Sequence, residues 1–480
     1  MPLRKSALDE ASAVVVRLLG GIPRDPFAFH LALAGENACF LESSLLSEGG
    51  RRSYSLPEPR ARLDWSAREG LSLRGPDAPH VDRGEDPFSA AEKLLASGLS
   101  GPPRDADLPF AGGAVAFVSY EAAALFEERA PRNAPDPLGA PDVTFLFFDR
   151  GVVLDHERGI AVGFAARDGS EAPERFFARA AFAARTGPVR GPAPRRARLA
   201  SDFGRDEYVA AVERVKRYIE AGDVYQVNLS QRFRVAFDRP PRPEEVYFSL
   251  RAENPSPFAV FADLGPGRHV LSASPELFLS RRGRSVSTRP IKGTRPRVRL
   301  EPADEESRRD LLASEKDRAE LTMIVDLERN DLGRVCEAGS VRVADAGSLE
   351  THPWVYHRVA TVRGTLREGT SLRDLLGATF PTGSVTGAPK IRAMEIIAEL
   401  ERARRGVYTG AIGWIGWDGD LDLNVAIRTI EMRGGEARFH VGGGIVADSD
   451  ARAEYEETLH KARGLLRALG LEGEPPRGRE

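Results

Sequence analysis

Strand-like apolar runs occur in groups along this chain, and helical segments separate the groups. The first group includes "GAVAFVSYEAAALF" and "VTFLFFDRGVVLDHERGIAVGFAA", and the second includes "VYQVNLSQRFRVAF", "FAVFADLG" and "HVLSASPELFLSRRGRSVSTRPI". A third group contains "TGAIGWIGW", "LDLNVAIRTIEM" and "ARFHVGGGIVA". Strands that come in groups, rather than alternating singly with helices, favour an α+β fold with mainly antiparallel sheet.

Apolar spacing predicts four helices between and after these groups. In "SDFGRDEYVAAVERVKRYIEAGD", Tyr208, Val212, Val215 and Ile219 lie on one helical face, and Gly222 is a typical stop. Further helices are predicted from about Ser314, after Pro389, and from about Ala451 to Leu469.

One stretch has the composition of an exposed connection. Residues 186–200, "TGPVRGPAPRRARLA", are rich in Pro, Gly and Arg and lack apolar periodicity. At 480 residues the chain is long enough for two domains or one large one. We therefore predict an N-terminal region over residues 1–185, a linker over 186–200 and a second region over 201–470.

Charge and cysteine content exclude several functional classes. The formal net charge of −3 gives no indication of binding to nucleic acid or to an anionic membrane. Cys39 and Cys336 are too few for a disulfide framework or a cysteine metal site, which fits a reducing compartment, and we expect a cytoplasmic protein. No run approaches 18 uninterrupted apolar residues, so we expect no membrane span.

Two helices carry carboxylates three residues apart, on one face each. They are Asp317 with Glu320 and Glu454 with Glu457. A hard divalent cation such as Mg²⁺ relieves the repulsion of converging carboxylates and typically binds one or two of them with water and ligand oxygens. Solvated helix faces are the alternative interpretation, and neither pair decides between the two.

Glycine-rich segments and three basic side chains are the other candidates. "TGSVTGAPK" (382–390) and "VGGGIVADSD" (441–450) could bring backbone close to an anionic ligand, or be turns alone. Arg428, among apolar strand residues, needs an anionic partner. His357 is compatible with the core or with a site. Lys292, in "TRPIKGTRPR", is either surface charge or an amine whose pKa is lowered by burial and by Arg289, Arg295 and Arg297.

Nine segments follow one another between about Asp206 and Arg463. They are "AGDVYQVNLSQRF", "SASPELFL", "TRPIKGTRPR", "EKDRAELTMIVDLERNDLGRV", "VYHRVATVRG", "FPTGSVTGAPKIRAMEII", "RGVYTGAIGW", "NVAIRTI" and "GGGIVADSDARAEYEETLHKA". In this order they resemble the chorismate-utilising enzyme family, which includes anthranilate, aminodeoxychorismate, isochorismate and salicylate synthases. The resemblance implies antiparallel sheets that form a sandwich-like core flanked by helices, with 201–470 as the chorismate-binding catalytic domain. Residues 1–185 resemble the family's N-terminal region more loosely.

The resemblance also implies residue roles. It implies that Glu320 and Glu457 bind Mg²⁺, which bridges to the ring carboxylate of chorismate, and that Glu454 supports them or binds through water. Asp317 stands where family members often carry glutamate. Tyr408 and Arg428 match the residues that receive the enolpyruvyl carboxylate. Gly442 and Gly443 match positions whose backbone amides lie beside that carboxylate. His357 matches the family's active-site histidine.

Two positions distinguish the branches of the family. The water-using branch carries a lysine as general base where this chain has Gln226, which argues against water as the nucleophile. At the second position anthranilate synthases usually read Pro-Ile-Ala-Gly-Thr, whereas this chain reads "PIKGT" with Lys292, the form of aminodeoxychorismate synthases. The resemblance thus implies that chorismate and ammonia give 4-amino-4-deoxychorismate, on the route to 4-aminobenzoate and folate.

In this expected reaction Lys292 attacks C2 of chorismate as the C4 hydroxyl leaves, and ammonia then attacks C4 and expels the lysine. Glu276 matches the residue that protonates the leaving hydroxyl, and Thr294 orients the same group. No region resembles a glutaminase, so a separate glutamine amidotransferase subunit would supply ammonia. Two alternatives remain: an anthranilate synthase component I, and a non-catalytic chorismate-binding regulatory subunit, against which the intact Glu320, Glu457, His357 and Arg428 argue.

Overall fold

The structure is a computed structural model in which most of the chain can be described. The described residues are 13–46, 50–76, 80–97, 108–130, 139–184, 187, 189–191, 193, 196–297, 301–352 and 355–471.

The strands, in chain order, are β1 Val14–Gly21, β2 Cys39–Glu42, β3 Arg52–Leu56, β4 Ala61–Ser66, β5 Gly70–Arg74, β6 Gly113–Val118, β7 Val143–Phe148, β8 Arg150–Asp155, β9 Ile160–Ala166, β10 Ala197–Ser201, β11 Gln226–Phe237, β12 Phe258–Asp263, β13 Arg268–Ser274, β14 Leu277–Arg282, β15 Ser285–Arg289, β16 Ile291–Pro296, β17 Arg342–Thr351, β18 Val355–Thr365, β19 Gly387–Ala388, β20 Ala411–Gly416, β21 Leu421–Val425, β22 Thr429–Arg433 and β23 Glu436–Ile445.

The α-helices are α1 Pro26–Leu33, α2 Pro87–Ser97, α3 Pro173–Ala183, α4 Arg205–Glu220, α5 Pro243–Glu253, α6 Ala303–Ala313, α7 Glu315–Gly333, α8 Leu372–Thr379, α9 Lys390–Leu400 and α10 Ala451–Ala468. Two short 3₁₀ segments cover Tyr120–Leu125 and Gly383–Val385. The four helices expected from sequence correspond to α4, α7, α9 and α10, so those predictions are confirmed. No helix in the described part of the chain is both long enough and apolar enough to span a membrane.

The strands form two large sheets in which neighbouring strands are antiparallel. One sheet has 12 strands in the order β1-β9-β8-β3-β2-β12-β13-β22-β23-β11-β10, with β19 added beside β11. The other has 11 strands in the order β16-β18-β15-β14-β21-β20-β6-β7-β4-β5, with β17 added beside β18. The expected α+β fold with antiparallel sheets is therefore confirmed.

The two sheets face each other across a shared apolar layer. Tyr54 and Val260 from the 12-stranded sheet pack in one cluster with Phe117, Leu146 and Trp414 from the 11-stranded sheet. Helices cover the outer faces: α4, α5 and α10 contribute to a second cluster on the first sheet, and α2, α7 and α8 to a third on the second sheet. This is a sandwich flanked by helices, because each sheet buries one face against the other sheet and one against helices.

Both sheets take strands from both ends of the chain. Strand β2 pairs with β12, and β6 pairs with β20, so residues before 186 and after 200 share ladders in each sheet. Of the predicted linker, residues 186, 188, 192, 194 and 195 lie outside the described residues, and Ala197–Ser201 forms β10, which pairs with β11. The division into regions 1–185 and 201–470 stays a prediction about the chain, and the fold joins them through shared sheets.

Candidate active site

Lys292 lies on β16, a strand that contacts helices α6 and α7. Its side chain reaches the 3₁₀ segment Gly383–Val385. Its side chain is half-buried, and its Nζ donates a hydrogen bond to the Ser384 carbonyl oxygen at 3.2 Å. Burial lowers the pKa of Lys292 below its usual value of 10.5, Glu320 and Glu276 oppose this shift, and Lys461 reinforces it. The amine is thus close to carboxylates and yet is more easily deprotonated than a free lysine.

The three arginines around Lys292 do not produce this shift. Each is engaged with carboxylates, so their charges are neutralised locally, and the expectation that they lower the pKa of Lys292 is wrong. The cation that lowers it is Lys461, from α10. The three sets of partners are Arg289 with Glu350, Arg295 with Asp310 and Asp317, and Arg297 with Asp304.

These pairs also locate Asp317. Its carboxylate accepts a hydrogen bond from Arg295 Nη2 at 3.1 Å, and a Cβ on Gly293 would lie 2.9 Å from its Cγ. Asp317 therefore anchors the strand that carries Lys292 onto the start of α7. The positive φ of 84° at Gly293 explains why this position next to Lys292 is a glycine.

Glu276 precedes β14 and is buried beside Lys292. The Ser384 side chain and the Ile291 backbone both hydrogen-bond its carboxyl group. Burial raises the pKa of Glu276, although these hydrogen bonds and Lys292 act in the opposite direction. A carboxyl group with a raised pKa can retain a proton and deliver it, which is what a general acid requires.

Thr294 and His357 form a pair across β16 and β18. Thr294 Oγ1 and His357 Nδ1 are 2.8 Å apart, and His357 is only 3% exposed. The pKa of His357 is lowered to about 3, chiefly by burial and also by Arg428 and His352, while Glu350 opposes the shift. The imidazole is consequently neutral at physiological pH, and its hydrogen bond to Thr294 fixes the ring orientation.

Arg428 lies in the turn between β21 and β22, not within a strand as expected from sequence. Its φ of 51° is in the left-handed region, which is uncommon for a residue other than glycine. Burial lowers the pKa of Arg428. Its guanidinium has no hydrogen bond or ion pair with the parts of the chain that the structure describes. A desolvated cation without a protein anion is suited to receive an anionic ligand group.

Tyr408 is buried and its ring stacks on His440, with ring centroids 5.1 Å apart and planes 10° apart. Arg405 is only 1% exposed, and its guanidinium lies 5.8 Å from the centroid of the Tyr408 ring. Arg405 also donates hydrogen bonds to the carbonyl oxygens of Val385 at 2.9 Å and Asn228 at 2.7 Å. It therefore links the strand and loop on either side of Tyr408.

The carboxylates of α10 lie beside the glycines of β23, and Glu320 of α7 is near Glu457. A Cβ on Gly443 would lie 3.1 Å from Glu454 Oε2 and 3.8 Å from Glu457 Oε1. Glu454 is held in place because its Oε1 accepts a hydrogen bond from Ser449 Oγ at 2.7 Å. Burial raises the pKa of Glu320, and the charge of Glu457 contributes to the same shift, which indicates that the two carboxylates are close.

Lysines balance this acidic group. Lys461 pairs with Glu457 at 2.7 Å, and Lys316 lies 3.9 Å from Glu320. Burial alone would raise the pKa of Glu457, but the charges of Lys461, Lys316 and Lys292 lower it on balance. Within the described residues no three His, Cys, Asp or Glu side chains converge closely enough to hold a metal ion. The donor set fits Mg²⁺ only as two carboxylates completed by other oxygens, a mode that Mg²⁺ commonly uses.

Gln226 and the glycines of β23 line another side of this region. Gln226 is fully buried, and its amide oxygen and nitrogen both lack a hydrogen-bond partner among the described residues. Strand β23 pairs with β22 only up to Phe439. Gly442 and Gly443, further along β23, are therefore not paired with β22. A buried amide without partners is costly unless a ligand or water satisfies it.

A family model described as "chorismate binding enzyme" matches residues 60–467, which is most of the chain. The chain belongs to the chorismate-binding enzyme family. Its relatives carry two kinds of name. "Anthranilate synthase component 1" of Streptomyces coelicolor is 39% identical over 98% of this chain and 89% of its own length. "Aminodeoxychorismate synthase component 1" of Bacillus subtilis is 41% identical over 76% of this chain and 78% of its own length.

A solved structure agrees with the family assignment. The crystal structure of anthranilate synthase component I from Streptococcus pneumoniae TIGR4 has a TM-score of 0.76 and 32% sequence identity to this chain. The match covers 88% of this chain and 93% of the other. The family and the fold expected from the sequence are thus confirmed. The relatives do not decide between the aminodeoxychorismate synthase and anthranilate synthase reactions.

Three residues of this chorismate-binding enzyme lie among the predicted site residues but were not predicted from the sequence. Ser384 contacts both Lys292 and Glu276, Lys461 pairs with Glu457, and Arg405 supports Tyr408. Ser384 lies within "TGSVTGAPK", a segment that stands out in the sequence only by its glycines. For Lys461, its position four residues after Glu457 was an available signal.

Proposed function

We propose that this chorismate-binding enzyme is the synthase component of an aminodeoxychorismate synthase and converts chorismate and ammonia to 4-amino-4-deoxychorismate. The observation that carries the proposal is the environment of Lys292. Its amine is half-buried, has a lowered pKa and lies beside Glu276, whose raised pKa suits a proton donor. An amine nucleophile and an acid in one pocket are what the lysine-dependent substitution requires.

Each of these residues has its own role in the proposed reaction. Lys292, in its neutral form, attacks C2 of the ring while Glu276 gives a proton to the C4 hydroxyl, which leaves as water. Ammonia then attacks C4, the bond from C2 to Lys292 breaks, and the enolpyruvyl group is retained. Thr294, oriented by neutral His357, supports the hydroxyl before it leaves. Covalent catalysis divides one difficult displacement into two easier ones.

Substrate binding relies on the unpaired polar groups of the site. Arg428 and Tyr408 would receive the enolpyruvyl carboxylate, and the amides of Gly442 and Gly443 would add hydrogen bonds. Gln226 would donate to or accept from the ligand, and it has no charge with which to activate water. This last feature supports ammonia rather than water as the second nucleophile.

Glu320 and Glu457 would hold Mg²⁺, with Glu454 behind them. When bound, this ion would neutralise the ring carboxylate of chorismate and fix the ring's orientation. A partner subunit of the glutamine amidotransferase class would supply ammonia, in keeping with the "component 1" names of the relatives.

Product analysis tests the proposal directly. The enzyme is incubated with chorismate, Mg²⁺ and an ammonium salt, and the products are separated by chromatography and identified by mass. We expect 4-amino-4-deoxychorismate with no release of pyruvate. Anthranilate and pyruvate as the main products would reject the proposal, and binding of chorismate without any product would favour a non-catalytic subunit.

Anthranilate synthase component I is the second candidate. Two relatives with that name, from Streptomyces coelicolor and Thermus thermophilus, each align with 98% of this chain at 39% identity. The aminodeoxychorismate relative from Bacillus subtilis aligns with 76%. Overall similarity therefore favours neither reaction decisively, and Lys292 is the residue on which our choice rests.

A further inference from the structure

Glu328 is a buried acid next to the site, and the proposed reaction gives it no role. It lies on α7, two turns after Glu320, and is 0% exposed. Its Oε1 is 2.6 Å from Thr382 Oγ1, and its Oε2 is buried without a hydrogen-bond partner in the described part of the chain. A buried carboxylate normally has several donors, so a single hydroxyl leaves the charged form poorly stabilised.

Two hydroxyl groups connect Glu328 to the acid of the site. Thr382 Oγ1 and Ser384 Oγ are 3.5 Å apart, and both side chains are buried. The Ser384 side chain in turn hydrogen-bonds Glu276, and the Ser384 carbonyl oxygen accepts from Lys292. A row of exchangeable groups thus runs from Glu328 through Thr382 and Ser384 to Glu276, in which the contact between Thr382 and Ser384 is long for a hydroxyl–hydroxyl hydrogen bond.

The charges that face Glu328 come from three directions. Asp331 lies one turn further along α7, Lys390 at the start of α9 pairs with Asp331 at 2.5 Å, and Glu276 faces it from across the hydroxyls. The pKa of Glu328 is raised to about 7, chiefly by burial and also by the charges of Asp331 and Glu276, while Lys390 and the Thr382 hydrogen bond oppose the shift. Both the protonated and the ionised form of Glu328 are accordingly accessible near neutral pH.

We propose that Glu328 stores a proton and passes it through the hydroxyl groups of Thr382 and Ser384 to Glu276. The proposal deepens the proposed function and rests on it, because it assigns Glu276 the protonation of the leaving hydroxyl. Glu328 does not touch the substrate and is a positioning and proton-storing residue, whereas Glu276 remains the catalytic acid.

The transfer balances. The carboxyl proton of Glu328 moves to Thr382 Oγ1 as the Thr382 proton moves to Ser384 Oγ and the Ser384 proton moves to the Glu276 carboxylate. Glu276 is thereby reprotonated after it has released water from C4, and Glu328 is left as a carboxylate near Lys390. Ammonia brings three hydrogens and the product amine keeps two. As Glu276 takes up the third, its own proton returns through Ser384 and Thr382 to Glu328, so both acids end the cycle protonated.

Three variants separate this role from a structural one. Glu328→Gln keeps the size of the side chain and a hydrogen bond to Thr382 but cannot release a proton. Thr382→Val keeps the branched shape without the hydroxyl, and Thr382→Ser keeps the hydroxyl with less bulk, as its matched control. Chorismate consumption is measured with saturating ammonium from pH 5.5 to about 9, together with thermal unfolding of each variant.

We expect Glu328→Gln and Thr382→Val to lower kcat about 10- to 100-fold with an unchanged KM for chorismate, which is less than the ~10²–10⁴ contribution of a general acid itself. Thr382→Ser should recover most of the rate. In the unaltered enzyme kcat should fall as the pH rises through about 7, where Glu328 loses its proton, and this limb should be absent in Glu328→Gln. The infrared carbonyl band of a protonated carboxyl group should titrate over the same range in the ligand-free enzyme and be absent from Glu328→Gln.

Unchanged kcat and pH profile in Glu328→Gln, or equal losses in Thr382→Ser and Thr382→Val, would overturn the relay. These outcomes differ from failure of the proposed function, because chorismate consumption is followed regardless of product. An enzyme that formed anthranilate would reject the proposed function, and the infrared titration would still report whether Glu328 stores a proton.

Discussion

A lysine amine attacks carbon only while it is neutral, and at Lys292 several groups act on the pKa in opposite directions. Burial and Lys461 lower the pKa, while Glu320 and Glu276 raise it. If Mg²⁺ binds Glu320 and Glu457, it compensates part of the negative charge near the amine and lowers the pKa further. Metal binding would then favour the neutral, nucleophilic form of Lys292.

Lys292→Arg distinguishes a nucleophile from a positioned cation. Arginine keeps the positive charge but is not a nucleophile at usable pH, so we expect at least a ~100-fold loss of kcat in both Lys292→Arg and Lys292→Ala. With chorismate and Mg²⁺ but no ammonia, mass spectrometry of the unaltered enzyme should find Lys292 carrying chorismate less one water. Near-normal activity in Lys292→Arg, with no adduct in the unaltered enzyme, would assign Lys292 the role of a cation only.

The pH dependence of adduct formation follows from the direction of the same shift. The neutral amine dominates above the pKa of Lys292, so adduct formation should rise with pH through that pKa. Because burial lowers this pKa from 10.5, the midpoint should lie below that of an ordinary lysine. Single-turnover measurements without ammonia give the midpoint, and a midpoint at or above the ordinary lysine value would contradict the structure.

At the scale of elements, helix α7 connects three parts of the site. Asp317 in its first turn anchors the Lys292 strand, Glu320 one turn later faces the α10 carboxylates, and Glu328 reaches the segment that contains Ser384. The segment 382–390 passes between this helix and β11 and supplies groups to both Lys292 and Glu276. Its conformation therefore determines whether Lys292 and Glu276, the proposed nucleophile and acid, are in place.

Gly387→Ala tests how tightly this segment is held. Gly387 has a φ of 144°, and an added Cβ would overlap the Gln226 carbonyl oxygen and approach Ala393 Cβ to 2.9 Å. We expect a loss of about 1–3 kcal/mol of stability from overpacking and a matching loss of activity. Gly369→Ala is the control, since Gly369 also has a positive φ of 77° but no atom near the added Cβ. Equal effects on Tm and rate in both variants would show that backbone strain alone matters.

Sequence patterns predicted the elements better than the contacts between them. Apolar spacing located α4 and α10, because helical periodicity is local, and the family motifs named Lys292 and His357. Arg428 was expected in a strand because its neighbours are apolar, but the turn that it occupies depends on a left-handed backbone that spacing does not reveal. The neutralisation of the arginines around Lys292 depends on partners on α6 and α7 and on β17, which only the tertiary structure brings together.

At the scale of the whole molecule, the two sheets are built jointly by the chain before and after residues 186–200. Phe110 and Tyr54 pack against Trp414, with ring centroids 5.5 and 6.0 Å apart. Because β12 pairs with β2 and β20 pairs with β6, the second region alone would expose strand edges and half of the apolar layer. All of the proposed catalytic and binding residues lie in the second region, yet the sheets that carry them include strands of the first.

A fragment of residues 201–470 should therefore fail to fold on its own. We expect it to aggregate or to unfold without a cooperative transition, because exposed apolar faces and unpaired edges favour association. Co-expression with residues 1–200 should restore a soluble complex that consumes chorismate. As a control, a protease site beside the exposed Arg190 should give a nicked protein that elutes as one particle and remains active, since shared ladders hold the two pieces together. A soluble 201–470 fragment with cooperative unfolding and chorismate-dependent activity would show instead that the second region is an independent domain.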